Sequence, residues 1–356
     1  MPEGGQMSLH QKYRIVSYCK ALLIASIAGF PVIALTGCSP TGPDYKLESI
    51  DFSKFKGRIA FNRVYYRGPT PDPDINTIPN YLVVVNATQS TANMTRVYGH
   101  HVIPSLALSP ITGQIVFSAS KDSGFDYSYK LYSLDQNGAV RKFADSDLNN
   151  LYPVFTYDGQ WVFYRVNRVS DGATCIYRIK PDGTGNTQLL VYGLTWTISG
   201  RISPSPDGLR VTFPVNSSIG TANIDGTGYK EIVKPGTNET LSDPCWSSSG
   251  SRIAFVSSLG PLDRYGLPLS VSICSVDTSG SNLDTIYTGT RILGSCPAWS
   301  PDDSLIAFSG QDLDAVGCAH IYMVDAHGHV VDAGGGEPAN KITSANSWDS
   351  APSWVR

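Results

Sequence analysis

One phrase of about twelve residues returns six times in this chain and limits its fold more than any other feature. Each copy leads from a polar turn of the Ser-Pro-Asp-Gly type into a short apolar strand that ends in phenylalanine. Five copies are continuous, at residues 106–117, 153–163, 202–213, 244–255 and 296–308. The sixth copy is split, with its second half at residues 57–61 and its first half at residues 350–354.

The spacing of the copies indicates a closed ring of β-sheets. The phenylalanines recur every 42 to 56 residues, and periods of about 40 to 50 residues built from four short strands are typical of β-propeller blades. A solenoid has similar periods, but its two chain ends do not need to share one unit. The split copy therefore favours an all-β, six-bladed β-propeller with four antiparallel strands per blade, in which the C-terminal strand completes the N-terminal blade.

A second recurring turn supports four strands per unit. It has the pattern Asp-x-x-Gly and begins at Asp135, Asp182, Asp225, Asp277 and Asp325. In such turns the aspartate accepts hydrogen bonds from nearby backbone and the glycine adopts the positive φ of a tight hairpin. Because the repeat runs through residues 57–356, we expect one propeller domain.

The segment before the repeat has the pattern of an exported lipoprotein. Lys12, Arg14 and Lys20 precede an apolar run over residues 21–34, which is shorter than the roughly 20 residues that cross a bilayer. The run ends in Leu-Thr-Gly-Cys38, which resembles the lipobox of bacterial lipoproteins. The resemblance implies a signal peptide over residues 1–37, a lipidated Cys38 and a tether over residues 38–56. Ser39, by analogy with Gram-negative lipoproteins, favours the outer membrane.

Charge and cysteine content bear on partners and covalent bonds. Three of the 27 Lys and Arg and one of the 30 Asp and Glu lie in residues 1–37, so the mature chain has a formal charge of −5. We therefore expect no nucleic-acid partner. Export permits disulfides, and Cys296 and Cys318 at one end of the last blade are the pair we predict. No Cys-x-x-Cys spacing indicates zinc or redox chemistry.

The Trp-Ser-Pro-Asp-Gly turn, the Ile-Ala-Phe strand and the Asp-x-x-Gly turn together resemble the propeller repeat of the TolB family of periplasmic proteins. The resemblance covers residues 57–356. It implies the fold but does not select a function, because similar blades occur in TolB, in propellers attached to serine peptidases and in oligogalacturonate lyases. Where TolB has an α/β domain before its propeller, this chain has only the tether.

Strand direction indicates which face of the ring binds a ligand. The short turns of both types lie on one face, so the longer connections gather on the other, where the first strand of each blade begins. These connections are residues 64–80, 121–129, 257–270 and 311–319. Near the channel mouth on that face, we predict that Asn150, Asp243, Asp349 and His101 bind the ligand. Alternatively, Asp243 and Asp349 bond to the backbone of a neighbouring blade.

The sequence offers little for catalysis, so a binding protein is favoured over an enzyme. No Gly-x-Ser-x-Gly nucleophile motif is present. A metal-dependent lyase needs clustered histidines and carboxylates, and the loop face has only His100, His101 and His320. We expect no catalytic residue, no metal and no cofactor. The recurring aromatics Phe155, Trp246, Trp299 and Trp354 are expected to pack between blades.

These observations predict a lipid-anchored, monomeric β-propeller of the cell envelope that binds another envelope protein or a peptide. It would face the periplasm from the outer membrane or lie on the extracellular surface. The alternative is a polysaccharide-active enzyme, a metal-dependent lyase resembling oligogalacturonate lyase. A third possibility is a purely structural envelope protein.

Overall fold

The predicted ring of antiparallel sheets is present in the structure, a computed structural model. The structure describes residues 56–65, 80–86, 91–97, 102–120, 129–143, 149–167, 173–192, 200–262, 268–290, 292–312, 319–328, 330–332, 340–343 and 347–356. Within these ranges, every regular element is a β-strand. The described segments also contain no helix long and apolar enough to span a membrane.

The first and last strands of the chain pair with each other. Strand β1 (Arg58–Tyr65) lies between β2 (Asn80–Asn86) and β25 (Ser347–Val355), and β3 (Thr91–Val97) completes the sheet on the side of β2. The register sets Ile59 opposite Trp354 and Arg63 opposite Asp349. The two halves of the split repeat therefore form one structural unit, as the sequence predicts.

Each continuous copy of the repeat supplies the first two strands of a further unit. We call the sheet just described unit 1 and number the others along the chain. Unit 2 contains β4 (Val102–Leu108), β5 (Ile115–Ser120), β6 (Lys130–Leu134) and β7 (Val140–Lys142). Unit 3 contains β8 (Asn149–Phe155), β9 (Val162–Asn167), β10 (Thr174–Ile179) and β11 (Thr187–Tyr192). Unit 4 contains β12 (Ser203–Pro204), β13 (Arg210–Val215), β14 (Ser218–Asn223) and β15 (Lys230–Val233).

The last two units depart from this regular pattern. Unit 5 contains β16 (Glu239–Trp246), β17 (Arg252–Leu259), β18 (Ser270–Asp277) and β19 (Asp284–Gly289). Unit 6 contains β20 (Ile292–Trp299), β21 (Leu305–Asp312), β22 (Ala319–Asp325) and the two-residue β24 (Asn340–Lys341). Between β22 and β24, strand β23 (Val330–Asp332) leaves unit 6 and pairs in parallel with β19.

Hydrogen bonding divides the described strands into five sheets, whereas the sequence predicts six separate ones. Three sheets have four strands, unit 5 has five because it includes β23, and one sheet has eight. The eight-stranded sheet contains units 6 and 1. One parallel pair, Ala319 with Trp348, joins the two units where β22 meets β25.

Apolar clusters lie between neighbouring units. Six of the clusters in the described part of the chain each combine residues of two consecutive units. For example, Phe61 of unit 1 packs with Ile321 of unit 6, and Phe308 of unit 6 packs with Ile273 of unit 5. Strands buried on both faces are expected when sheets stack around a ring. The predicted packing role of Phe155, Trp246, Trp299 and Trp354 is confirmed, since each is at most 9% exposed.

The third copy of the repeat needs a correction of one residue. The sequence pattern takes Phe163 as its anchor. In the structure, however, Tyr164 lies opposite the irregular Tyr152-Pro153 pair of the inner strand, as Phe308 lies opposite Cys296-Pro297 in unit 6. Tyr164 packs against unit 2, whereas Phe163 packs against unit 4. Because side chains alternate along a strand, an offset of one residue moves the phenylalanine to the other face of the sheet.

Candidate functional site

The same β-bulge interrupts the inner strand of four units. In each, an X-Pro pair on the inner strand lies opposite one residue of the next strand. The four pairs are Tyr152-Pro153, Asp243-Pro244, Cys296-Pro297 and Ala351-Pro352. Proline cannot donate a ladder hydrogen bond, and a bulge accommodates it while turning the preceding side chain in a new direction.

The residue before each proline adopts a left-handed backbone conformation. The φ angles are 54° at Tyr152, 50° at Asp243, 53° at Cys296 and 55° at Ala351. Residues other than glycine rarely adopt this conformation, which costs about 1 kcal/mol or more at each position. Its recurrence in four units indicates that the bulge has a defined role in the ring.

The side chains of three of these bulge residues, Tyr152, Asp243 and Cys296, lie close together near the centre of the ring, and Arg201 of unit 4 joins them. The Sγ of Cys296 lies 3.9 Å from Oδ2 of Asp243, and Oδ1 of Asp243 accepts a hydrogen bond from the backbone N–H of Arg201 at 3.1 Å. Gly200 permits this approach, because a Cβ there would lie 2.8 Å from Oδ1 of Asp243. The guanidinium of Arg165 lies over the Tyr152 ring at 4.7 Å. We call Tyr152, Arg165, Arg201, Asp243 and Cys296 the central layer.

Burial dominates the electrostatics of the central layer. It raises the pKa of the Cys296 thiol to about 12, and the nearby Asp243 carboxylate adds to that increase. Burial also raises the pKa of Tyr152 well above its usual value, opposed by the positive charge of Arg165. It lowers the pKa of Arg165, opposed by Tyr152 and Asp243. The thiol and the phenol are therefore neutral at ordinary pH.

A cavity of about 390 Å³ lies between the central layer and the Ser-Pro-Asp-Gly turns. All six units contribute to its lining, which is largely apolar and rich in proline. Aromatic side chains at the recurring position of the inner strand also line it, namely Phe155, Trp299 and Trp354. Its prolines are Pro110, Pro206, Pro244, Pro297, Pro301 and Pro352. A volume of this size falls within the range typical of small-ligand pockets.

Arg201 forms the charged floor of the cavity. Its position in unit 4 corresponds to that of Cys296 in unit 6, and its Nη1 reaches the carbonyl oxygen of Pro352 in unit 1 at 3.5 Å. Because unit 4 and unit 1 lie three units apart along the ring, the side chain extends across the channel.

Tyr157 lies at the turn end of the cavity and links two units that are not neighbours. It replaces the proline of the Ser-Pro-Asp-Gly turn in unit 3, and its hydroxyl donates to the carbonyl oxygen of Trp246 in unit 5 at 2.8 Å. The residue as a whole is 38% exposed. Its hydroxyl is enclosed, however, and burial raises the Tyr157 pKa well above its usual value.

The predicted ligand-binding residues that the structure describes have different surroundings. Asn150 and Asp349 are completely buried, and Asp349 forms a bidentate ion pair with Arg63 at 2.7 Å. Asp243 is half-buried and takes part in the central layer. His101 and the lipidation site Cys38 lie outside the described residues.

Asp243 and Asp349 do not occupy corresponding positions, although the sequence alignment treats them as nearly so. Asp243 is the bulge residue of unit 5, and its counterpart in unit 1 is Ala351, two residues after Asp349. The alternative interpretation applies to Asp243, which bonds to the backbone of neighbouring unit 4. The Asp349 carboxylate pairs with Arg63 of its own unit, and the Asp349 backbone carbonyl oxygen accepts a hydrogen bond from Ser309 of unit 6.

The predicted disulfide stays a prediction. Cys296 has a free thiol that faces Asp243 of unit 5. Its predicted partner, Cys318, lies outside the described residues. Cys245 and Cys274 have free thiols as well.

The cavity opens toward the face of the short turns, whereas the sequence predicts binding on the face of the long connections. Its lining residues follow the bulge in each inner strand and continue into the Ser-Pro-Asp-Gly turns, whereas the predicted mouth lies where those strands begin. Most of the long connections on that predicted face are outside the described residues. The signal for the cavity was present in the sequence as the repeated X-Pro pair, because proline inside a strand indicates a bulge or an edge.

The described residues do not fit a metal site of the kind that a lyase would need. Among them, no group of three or more His, Cys, Asp or Glu side chains lies close enough together to hold a metal ion. His320 is buried in β22, where its ring meets the edge of Tyr322.

Comparison with known proteins gives a consistent fold and a distant sequence relationship. No family model matches the chain. An uncharacterized protein of Agrobacterium fabrum is 25% identical over 220 residues, which cover 59% of this chain and 68% of that protein.

Solved structures with a similar fold include two of the TolB type. TolB from Acinetobacter baumannii has a TM-score of 0.62 at 15% identity, over 99% of this chain and 74% of that one. A putative TolB from Agrobacterium tumefaciens has a TM-score of 0.52 at 16% identity, over 84% and 99%. An oligogalacturonate lyase in complex with manganese has a TM-score of 0.50 at 14% identity, over 82% and 83%. The chain therefore has a TolB-like β-propeller fold.

Proposed function

We propose that this protein is a lipid-anchored binding module of the cell envelope, which holds a protein or peptide segment in the cavity at the centre of its propeller. The observation that carries the proposal is the cavity itself. It is lined by all six units, has largely apolar walls and contains one cation at its floor. Apolar walls with a few placed polar groups are typical of ligand sites.

We further propose that the ring has six blades. Each of the six units contains one copy of the repeat, and six apolar clusters join consecutive units. In this interpretation the eight-stranded sheet consists of two blades that touch at the single pair Ala319 and Trp348.

The N-terminal segment is the main support for an envelope location. The lipobox pattern that ends at Cys38 supports a lipid anchor, with residues 1–37 removed and residues 38–56 as tether. The named TolB structures have a similar fold. Two or more acyl chains, as in lipoproteins, hold a protein on a membrane more firmly than one.

A variant that fills the cavity tests the binding proposal. Cys245 is half-buried in the cavity wall, so Cys245→Phe would place a ring in the space that a partner needs. Leu283→Phe is the matched control, because Leu283 is 56% exposed and does not line the cavity.

The experiment is affinity capture from detergent-solubilised envelope. We expect the wild type and Leu283→Phe to retain the same partner and Cys245→Phe to lose it, with all three proteins unfolding at similar temperatures. Equal capture by a folded Cys245→Phe variant would show that the cavity is not the binding site.

The second candidate function is polysaccharide cleavage, which rests on the similarity to an oligogalacturonate lyase. It is less favoured because the sequence has no nucleophile motif and few histidines on the loop face. Incubation with oligogalacturonate and each of several divalent cations, followed by ultraviolet detection of unsaturated product, would distinguish the two functions. Product formation would favour the enzyme.

A further inference from the structure

The charged residues of the cavity lining all have one sign. The lining includes two arginines, Arg201 and Arg356, and no aspartate or glutamate. Arg356 is at the exposed rim, where its carbonyl oxygen accepts a hydrogen bond from Nε of Arg58 at 3.1 Å. Arg201 is half-buried at the floor. The inner end of a largely apolar chamber is therefore cationic.

Within the protein, the guanidinium of Arg201 is only weakly satisfied. Its hydrogen bond to the Pro352 carbonyl oxygen is 3.5 Å long, whereas typical N–H···O bonds measure about 2.7–3.2 Å, and the guanidinium also interacts with the neutral Cys296 thiol. Among the described residues it forms no ion pair within 4.0 Å. A guanidinium has five N–H donors. Most of this donor capacity is available to a ligand.

The nearby carboxylate of Asp243 does not neutralise this site. Its Oδ1 accepts the backbone N–H of Arg201 rather than the guanidinium, and its Oδ2 faces Cys296. Arg165, beneath the cavity in the central layer, contributes a second positive charge. Arg201 at the floor, together with Arg165 and Asp243 beneath it, carries a net positive charge, which favours an anionic group.

The hydroxyl groups of the lining are already engaged in the protein's own hydrogen bonds. Those of Ser203 and Ser353 accept from backbone N–H groups, and the others donate to the protein. The pairs are Thr156 with Asp158, Tyr157 with Trp246, Ser203 with Trp246, Ser248 with Ser300, and Ser353 with Leu108. A sugar, with hydroxyls all around its ring, would therefore meet few available partners, whereas an apolar body with one anionic end matches the cavity.

We infer that the cavity takes the C-terminal end of a peptide, with its free carboxylate at Arg201 and an apolar last side chain between Trp299 and Trp354. This inference rests on the proposed peptide-binding function and names the part of the partner that enters. A guanidinium binds a carboxylate through two parallel hydrogen bonds, and the pairing is stronger than one between neutral groups. A C-terminal amide has nearly the same shape but lacks the charge.

A peptide pool in two forms tests the inference on the full-length protein. The probe is a pool of random octapeptides, acetylated at the N-terminus, of which half end in a free carboxylate and half in an amide. Immobilised protein captures peptides, and mass spectrometry compares the two forms. We expect at least tenfold enrichment of free carboxylates with apolar last residues, since a hydrogen bond to a charged group contributes about tenfold or more in affinity.

Three variants assign the effect to Arg201. Arg201→Met should remove the preference for the carboxylate, and Arg201→Lys should retain part of it because the charge remains. Lys234→Met is the charge-matched control, since Lys234 is 82% exposed outside the cavity. Thermal unfolding of each variant establishes that it is folded.

The outcomes separate this inference from the proposed function. Equal enrichment of carboxylates and amides by the wild type would overturn the inference and leave peptide binding intact. Enrichment of neither form would contradict peptide binding itself. A preference that persists in a folded Arg201→Met variant would overturn the role of Arg201.

Discussion

Arg63 and Asp349 form a bidentate ion pair, with both N···O distances at 2.7 Å, although 286 residues separate them in the chain. The pair joins β1 to β25 and is almost completely buried, with side-chain exposures of 2% and 0%. It therefore lies inside the sheet that brings the two ends of the repeat together. Asp349, which the sequence predicts to be near the channel mouth, thus connects the last strand to the first.

Loss of this carboxylate should strongly destabilise the fold. We expect Asp349→Ala to lower the free energy of unfolding by about 3–5 kcal/mol, because it removes the partner of a buried cation. Asp284→Ala is the control, since Asp284 pairs with Arg252 at the surface and is 64% exposed. That exposed pair should contribute less than about 1 kcal/mol. Urea unfolding measures both values, and similar losses in the two variants would contradict the assigned role.

The left-handed backbone conformation at the bulges should make a glycine substitution there less destabilising than elsewhere in the strand. Ala351 is buried with φ at 55°, so Ala351→Gly removes about 1 kcal/mol of left-handed strain while it loses about 0.8 kcal/mol of methyl burial. Its stability should stay within about 0.5 kcal/mol of the wild type. Ala298 is also buried in an inner strand, but its φ is not positive. Ala298→Gly should therefore lower the free energy of unfolding by about 1 kcal/mol or more. Equal costs in chemical denaturation would argue against strain at the bulge.

Buried thiols should make the reduced protein less stable at alkaline pH. Burial raises the pKa of Cys296 to about 12 and that of Cys274 to about 11, from an ordinary value of 9.0. Above pH 9 the unfolded chain loses protons that the folded chain keeps, so the free energy of unfolding falls as pH rises. Below pH 9 these thiols are protonated in both states and have no effect.

Unfolding between pH 8 and 10.5 under reducing conditions tests this dependence. Each thiol contributes a slope of up to about 1.4 kcal/mol per pH unit. In Cys296→Ala, the free energy of unfolding should fall less steeply above pH 9. The difference in slope should be at most the contribution of one proton, about 1.4 kcal/mol per pH unit. An unchanged slope would mean that Cys296 is not buried as a thiol.

Attachment to the membrane should depend on Cys38. The lipobox pattern predicts that Cys38→Ala is neither processed nor lipidated, so metabolic labelling with a radioactive fatty acid should be lost. Cys245→Ala is the control, because that thiol lies in the propeller. Equal labelling of Cys38→Ala and the wild type would exclude the proposed anchor.

The sequence predicted the parts of the fold that depend on local repetition. The TolB-like propeller and the union of residues 57–61 with residues 350–354 follow from the repeated turn and strand pattern, and the pairing of β1 with β25 confirms that union. The number of separate sheets did not follow. The contact of β22 with β25 and the departure of β23 to unit 5 depend on how neighbouring units meet.

The cavity was missed because its chemistry depends on backbone conformation. Asp243 and Asp349 look alike in the sequence, but only Asp243 is at the bulge, where a positive φ turns the side chain toward the channel. Arg201 is an isolated arginine two residues before β12, the shortest of the inner strands. Its significance depends on the other five units, which surround it with apolar groups.

Two exposed aliphatic residues on opposite faces of the propeller allow a direct test of whether a partner binds in the cavity. Ile111 is 68% exposed and lines the cavity at the turn face, and Leu262 is 62% exposed on the connection between β17 and β18 at the loop face. Because the two positions are similarly exposed to solvent, a photo-crosslinking amino acid can reach a bound partner from either of them.

The measurement is photo-crosslinking in intact cells, with one substituted position at a time. We expect a crosslinked partner from position 111, lost when Cys245→Phe fills the cavity, and none from position 262. A crosslink from position 262 that is unaffected by Cys245→Phe, without one from position 111, would contradict binding at the turn-face cavity.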